Sequence, residues 1–174
     1  IANTMILGIL AGVYIGFGGA MALLVGADAG QKLGFGLGQV GVGAVFSVGL
    51  MLVVIAGGEL FTGNHLMVAG VLDRRFGAWG MLGRWGLVYV ANFIGSLLLA
   101  WIVYESGVWK MGGAAAGTRA VSVALAKVNL PFAEAFFRGV GCNWLVCLAV
   151  WMAMSSKDIA GKILSILFPI TAFV

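Results

Sequence analysis

The sequence predicts an all-α membrane protein, and three observations carry that expectation. Of its 174 residues 62% are apolar and only 9% are charged, with a mean hydropathy of +1.11. A soluble domain carries about 25% charged residues, so this chain cannot coat a globule with polar surface. The few charges cluster, leaving neutral runs at residues 1–27, 33–58, 85–104, 139–156 and 163–174. A helix needs roughly 20 apolar residues to cross a ~30 Å hydrocarbon layer, and the first four runs reach or approach that length. No run alternates with period two, as the strands of a membrane barrel would. Disorder is excluded by the same composition.

The expected spans are, in order, 3–27, 34–57 followed by a short helix at 65–72, 84–105, 132–154 and 161–174. The first carries Gly8, Gly12, Gly16 and Ala20 at every fourth position. Small residues at that spacing let helix backbones approach inside a membrane. Gly34 and Gly38 repeat the pattern at the start of the second. The last run is too short to cross, since 12 residues rise only ~18 Å. Either the chain stops inside a span or this segment is a half-helix. Ile1 is not an initiator methionine, and the first run is too long for a signal-peptide core. The sequence therefore reads as a piece of a longer polytopic protein.

Orientation follows from the short connections. Asp73, Arg74, Arg75 and Arg84 follow the second span, and Lys157, Asp158 and Lys162 follow the fourth. The positive-inside rule puts both in the cytoplasm and the N-terminus with them. The third connection, read as a long outer loop, carries Lys110, Arg119 and Lys127. The net charge of +4 thus reports water-facing loops, and no nucleic-acid partner is expected. One histidine, His65, and two cysteines, Cys142 and Cys147, cannot build a multi-histidine metal centre or a disulfide scaffold. No metal, no cofactor and no enzymatic chemistry are expected. Glu134 and Arg138 stand one turn apart just after Pro131, which fits a helix start with an i,i+4 ion pair.

The most informative stretch is Ala56-Gly57-Gly58-Glu59-Leu60-Phe61-Thr62-Gly63-Asn64-His65. A helical run meets a Gly-Gly pair, a carboxylate and Thr-Gly-Asn before apolar residues resume. At membrane depth, non-helical backbone survives only where protein buries it or water lines it. Such broken helices mark solute paths in channels and transporters. Glu59 is then either an intramembrane acid with a function or a carboxylate on an ordinary surface turn.

The segment from Phe46-Ser47-Val48-Gly49-Leu50 to Gly58-Glu59-Leu60-Phe61-Thr62-Gly63 resembles the second span and Ω-shaped loop of the formate–nitrite transporter family. The run Cys142-Asn143-Trp144-Leu145-Val146-Cys147-Leu148-Ala149-Val150-Trp151-Met152 resembles its fourth-span signature. Asn92-Phe93-Ile94-Gly95 and Phe168-Pro169-Ile170-Thr171-Ala172-Phe173-Val174 supply two further matches in family order. The run Ser122-Val123-Ala124-Leu125-Ala126-Lys127 and the Glu-Leu-Phe-Thr-Gly loop look closest to the nitrite-channel branch.

The resemblance implies an aquaporin-like bundle of two inverted repeats with broken helices, here cut before the second half of span 5 and span 6. It implies a homo-pentamer with one pore per subunit, embedded in the lipid bilayer of a prokaryotic inner membrane. The family's central pore histidine would lie beyond Val174, and His65 does not occupy its position. Phe46 and Phe173 match the family's two pore-narrowing phenylalanines, and Leu50, Leu60 and Phe61 match its second constriction. By themselves these residues could equally pack a core or face lipid. Thr62, with Glu59 beside it, matches the polar centre of the loop, though a threonine there also suits a turn. Lys127 matches a vestibule cation but could be a solvated loop lysine. Asn143 matches a fourth-span asparagine, open to interhelical bonding or solute contact.

The implied function is passage of small monovalent anions, formate or nitrite first and hydrosulfide possible. The anion would enter a basic vestibule, cross two apolar rings and find polar relief between them. A proton-coupled weak-acid symporter on the same fold is an alternative. A neutral-solute channel of aquaporin type is another, but neither Pro131 nor Pro169 follows an asparagine.

Overall fold

The computed structural model describes residues 1–174 and is built of helices and their connections. Helix α1 covers Ala2–Gly26, a short α2 covers Ala29–Leu33, and α3 covers Phe35–Leu52. Beyond α3 the helix widens into a π turn at Val53–Gly57, and the chain re-enters helix through a 3-10 turn at Gly63–Leu66 and α4 at Met67–Leu72. Then come α5 (Ala78–Glu105), a 3-10 turn at Val108–Lys110, α6 (Met111–Val128), α7 (Phe132–Ser155) and α8 (Ile159–Phe173). Four stretches, Ala2–Gly26, Phe35–Gly57, Ala78–Glu105 and Phe132–Ser155, are long and apolar enough to cross a membrane.

Two elements differ from the sequence reading. The third long helix begins at Ala78 rather than near residue 84, because Arg84 is neutralised inside it instead of ending it. The third connection is largely helical: α6 carries a left-handed turn at Gly112, Gly113 and Ala114 near its start. Its many glycines, alanines and hydroxyl residues carry too little apolar signal to reveal it.

Helix α1 lies between α3 and α5, and small residues set both approaches. A Cβ on Gly12 would collide with the backbone carbonyl of Asn92, and one on Gly8 would stand 2.6 Å from the Ala91 Cβ. On the other side, a Cβ on Gly18 would meet the Phe46 carbonyl. The stripe read from the sequence is therefore a packing face. Contact of this closeness drives helix association where lipid is as apolar as the side chains. Gly43 does the same between α3 and the Thr171 backbone of α8.

The core that results joins α1, α3, α7 and α8. Ala11, Leu50, Val53, Val146, Ala149, Ala153, Ile166 and Ile170 form one buried apolar cluster. Around it the helices turn large apolar residues outward, including Trp79, Phe93, Trp101 and Trp144. That exposure is costly in water and favourable in lipid.

Candidate functional site: an apolar neck between a cationic vestibule and a stapled loop

The break after α3 begins at Gly57, whose φ of +96° is open to glycine and strained for other residues. Here the Glu59 N–H and carbonyl and the Phe61 N–H have no helical partner, and neighbouring helices supply one. The Glu59 N–H donates to the Leu7 carbonyl of α1 at 3.0 Å. The Asn92 side chain on α5 donates to the carbonyls of Gly8 (2.8 Å) and Glu59 (2.9 Å) and accepts from the Phe61 N–H (2.9 Å). The Trp85 indole donates to the Asn64 carbonyl at 3.0 Å, and the Cys147 thiol of α7 reaches the Thr62 carbonyl at 3.5 Å. One asparagine thus fastens three backbone groups, as backbone buried away from water requires.

Glu59 is 9% exposed, and its carboxylate is fully engaged. Arg84 holds it with two nitrogens, Nε on Oε1 at 2.5 Å and Nη2 on Oε2 at 2.8 Å. Asn64 Nδ2 adds a bond to Oε1 at 3.0 Å. The structure therefore gives this intramembrane acid a fixed cationic partner. Arg84, Asn92 and Asn64 are the residues that sequence reasoning missed as loop partners. In the sequence Arg84 carries a topology signal and Asn92 a motif match, and neither points to the loop.

The residues matched to the pore fall into two groups. Phe46 of α3 and Phe173 of α8 meet edge to face, with ring centroids 6.1 Å apart at 64°. Leu50 stands one turn below Phe46 on the same face of α3 and is 2% exposed within the core cluster. Leu60, Phe46 and Phe173 all pack against that cluster. Phe61 does not join them. Its ring lies among His65, Trp85 and Tyr89, at centroid distances of 4.8, 6.3 and 5.3 Å.

Cavities flank this neck at both ends. At the Phe46–Phe173 end a space of about 420 Å³ has both rings in its wall, and Gln39, Arg119, Val123 and Lys127 also line it. At the loop end a space of about 280 Å³ is lined by Leu50, Leu60, Gly57, Gly58 and Asn64. Lys127 is in the last turn of α6 rather than in a loop, and Arg119, which sequence reasoning did not single out, lines the same cavity. Their spacing of eight residues, two helical turns, was the available signal.

Thr62 and Asn143 share a third space with Phe61, His65 and Cys142. Asn143 Oδ1 is buried without a hydrogen-bond partner. His65 Nδ1 lies 3.1 Å from the Phe61 carbonyl and 3.2 Å from that of Thr62, so the histidine fastens its own turn. Cys142 and Cys147 are both free thiols. Glu134 and Arg138 pair at 3.1 Å on the exposed face of α7. Outside the long helices, Lys32 pairs with Asp28, and the hydrogen bond between them raises the lysine pKa.

A family model described as "Formate/nitrite transporter" matches residues 1–174. The "Probable formate transporter" of Methanothermobacter thermautotrophicus is 45% identical over 189 residues, covering 100% of this chain and 69% of that protein. The "Formate channel BtFdhC" of Bacillus thuringiensis is 37% identical over 98% of this chain and 65% of its own length. The "Formate channel FocA" of Escherichia coli strain K12 is 34% identical over 99% of this chain and 60% of its own length. These three are named for formate. Among solved structures, a "Pentameric formate channel with formate bound" superimposes with a TM-score of 0.88 at 30% identity, covering 99% of this chain and 68% of that one. An "FNT family ion channel" gives 0.85 at 32% identity, covering 99% and 67%. The chain thus spans 60% to 69% of the length of these proteins.

Proposed function

The chain belongs to the formate/nitrite transporter family, and from that premise we propose that it contributes to a channel for small monovalent anions, with formate and nitrite as leading solutes. It acts as a multi-pass protein of a prokaryotic inner membrane and assembles as a homo-pentamer. The names and fold of its relatives support this reading.

The anion first meets the outer cavity, where Lys127 raises its local concentration. A low-dielectric funnel with a cation at its mouth focuses field lines and speeds capture. It then passes Phe46 and Phe173, contributed by two different helices, and next Leu50 and Leu60. An apolar constriction strips hydration and holds back larger or strongly hydrated solutes. Polar relief comes from Thr62, with Asn143 and its unpartnered oxygen alongside. A proton taken from water at the vestibule and returned to water beyond the neck eases the apolar step, because an unpaired buried charge is costly. Glu59 serves this path indirectly, by fixing the loop that carries Leu60 and Thr62. Phe61 acts from the far side of that loop, wedged among aromatic rings.

The single observation that carries the reading is the edge-to-face contact of Phe46 and Phe173 in the wall of a cation-lined cavity. Uptake of labelled formate by proteoliposomes bearing the full-length protein tests it. Saturable uptake of formate and nitrite above empty vesicles is expected. Glycerol permeation without anion flux would instead favour the neutral-solute alternative.

A further inference from the structure

Arg119, Val123 and Lys127 recur every fourth residue of α6 and all line the cavity walled by Phe46 and Phe173. Residues four apart are neighbours on a helix surface, and the two cations lie about 12 Å apart along the axis, both in the wall of one cavity. We propose that Arg119 is a second anion-contacting residue of this vestibule and that its planar fork binds anions carrying two oxygens in one plane. The inference rests on the anion-channel reading above and adds a contact that determines solute geometry.

The local geometry leaves Arg119 available for a ligand. Its guanidinium lies against Gly26 in the last turn of α1, where a Cβ would stand 3.5 Å from Nε and 3.9 Å from Nη2. A cation at a helix C-terminus is favoured by the unpaired carbonyls there, which gives the side chain a resting position without an acid. Neither Arg119 nor Lys127 has a carboxylate within 4.0 Å, while Asp28, Glu59, Asp73 and Glu134 each hold a different cation. Asp158 is occupied in capping its own helix through the Gly161 N–H. Within residues 1–174, Glu105 included, no acid side chain pairs with either vestibule cation. Gln39 lines the same cavity and offers a neutral donor.

Arginine and lysine do different things in such a place. An ammonium is a compact point charge that attracts any anion. A guanidinium presents parallel N–H groups whose spacing matches the two oxygens of a carboxylate. Nitrite has the same pair of oxygens. Lys127 thus supplies attraction, and Arg119 adds recognition of shape.

Arg119→Lys keeps the charge and removes the fork, whereas Arg119→Gln removes both. Initial uptake rates of formate and nitrite, measured against concentration in proteoliposomes of full-length protein, separate the two contributions. Arg119→Lys should raise the half-saturation concentration of both anions about threefold or more, with the maximal rate unchanged. Arg119→Gln should raise it further at low ionic strength, and that extra deficit should shrink as salt is added. Wild-type half-saturation in Arg119→Lys would overturn the fork. Wild-type behaviour in both variants would return Arg119 to a solvated cation docked on the end of α1. If the wild-type protein takes up neither anion, the channel reading itself falls and the inference falls with it.

Discussion

The loop below the neck and the vestibule above it are built on opposite principles. From Glu59 to Asn64 the chain makes side-chain hydrogen bonds to Arg84, Trp85 and Asn92 of α5 and to Cys147 of α7. Around the vestibule, Phe46 and Phe173 touch through ring edges alone, and Arg119 and Lys127 are exposed and have no acid partner. Irregular backbone in a membrane must be tied down, since each orphaned group costs free energy. Charges that greet a solute must be left untied, since an existing ion pair would compete with it. In the proposed channel the polar groups of the loop serve the fold, and those of the vestibule serve the ligand. Changes in the loop should register as stability, and changes in the vestibule as kinetics.

The largest stability loss is expected at Asn92. Asn92→Ala removes three hydrogen bonds at once and leaves the Phe61 N–H and the Glu59 carbonyl unpaired, a cost of about 2–4 kcal/mol. Thermal unfolding of the purified full-length protein in detergent should show a clear drop in Tm. A Tm equal to wild type would mean that water or other groups hold the loop.

Next in size is the Arg84–Glu59 pair. Arg84→Ala leaves a nearly buried carboxylate with Asn64 alone. Because the arginine side chain is itself 47% exposed, the expected cost is reduced to about 1–3 kcal/mol. Adding Glu59→Gln should recover part of the loss, since the uncompensated charge disappears. Two residues in one ion pair should be non-additive in this way. Strictly additive losses would show that the pair does not couple.

Lys127 should leave stability untouched and change kinetics. Lys127→Ala is expected to lower formate uptake about twofold to fivefold at low salt, and the deficit should fade as ionic strength rises. Lys127→Arg should retain most activity. Superimposable uptake curves for the three proteins at both salt concentrations would remove Lys127 from the vestibule.

Much of this division was legible in the sequence, and its gaps have physical causes. The neutral runs gave the long helices, and Gly57-Gly58 gave the break, because both are local properties of the chain. The stripe Gly8, Gly12 and Gly16 gave a packing face but not its partner. That partner, the Ala91–Asn92 backbone, depends on how two distant helices register. The Arg84–Glu59 pair spans 25 residues, so neither residue advertises the other, and Arg84 read as a water-facing charge. Helix α6 was missed because its amphipathic face is narrow and polar. Its inward cations are functional candidates only once α1, α3 and α8 surround them. Phe61 was grouped with Leu50 and Leu60 by motif. The adjacent loop residues Leu60 and Phe61 diverge instead, one toward the apolar cluster and the other toward Trp85 and Tyr89.

The central claim is that Phe46 and Phe173 form one narrow apolar gate. A double-substitution cycle in the full-length protein, reading uptake of lactate relative to formate, tests it most directly. Phe46→Ala and Phe173→Ala should each raise the lactate-to-formate ratio. The double variant should exceed either single one by less than their product, because opening one side of a shared gate leaves less for the other to restrict. Independent, multiplicative effects on the ratio, or no effect of either change, would place the two rings on separate surfaces and contradict the account.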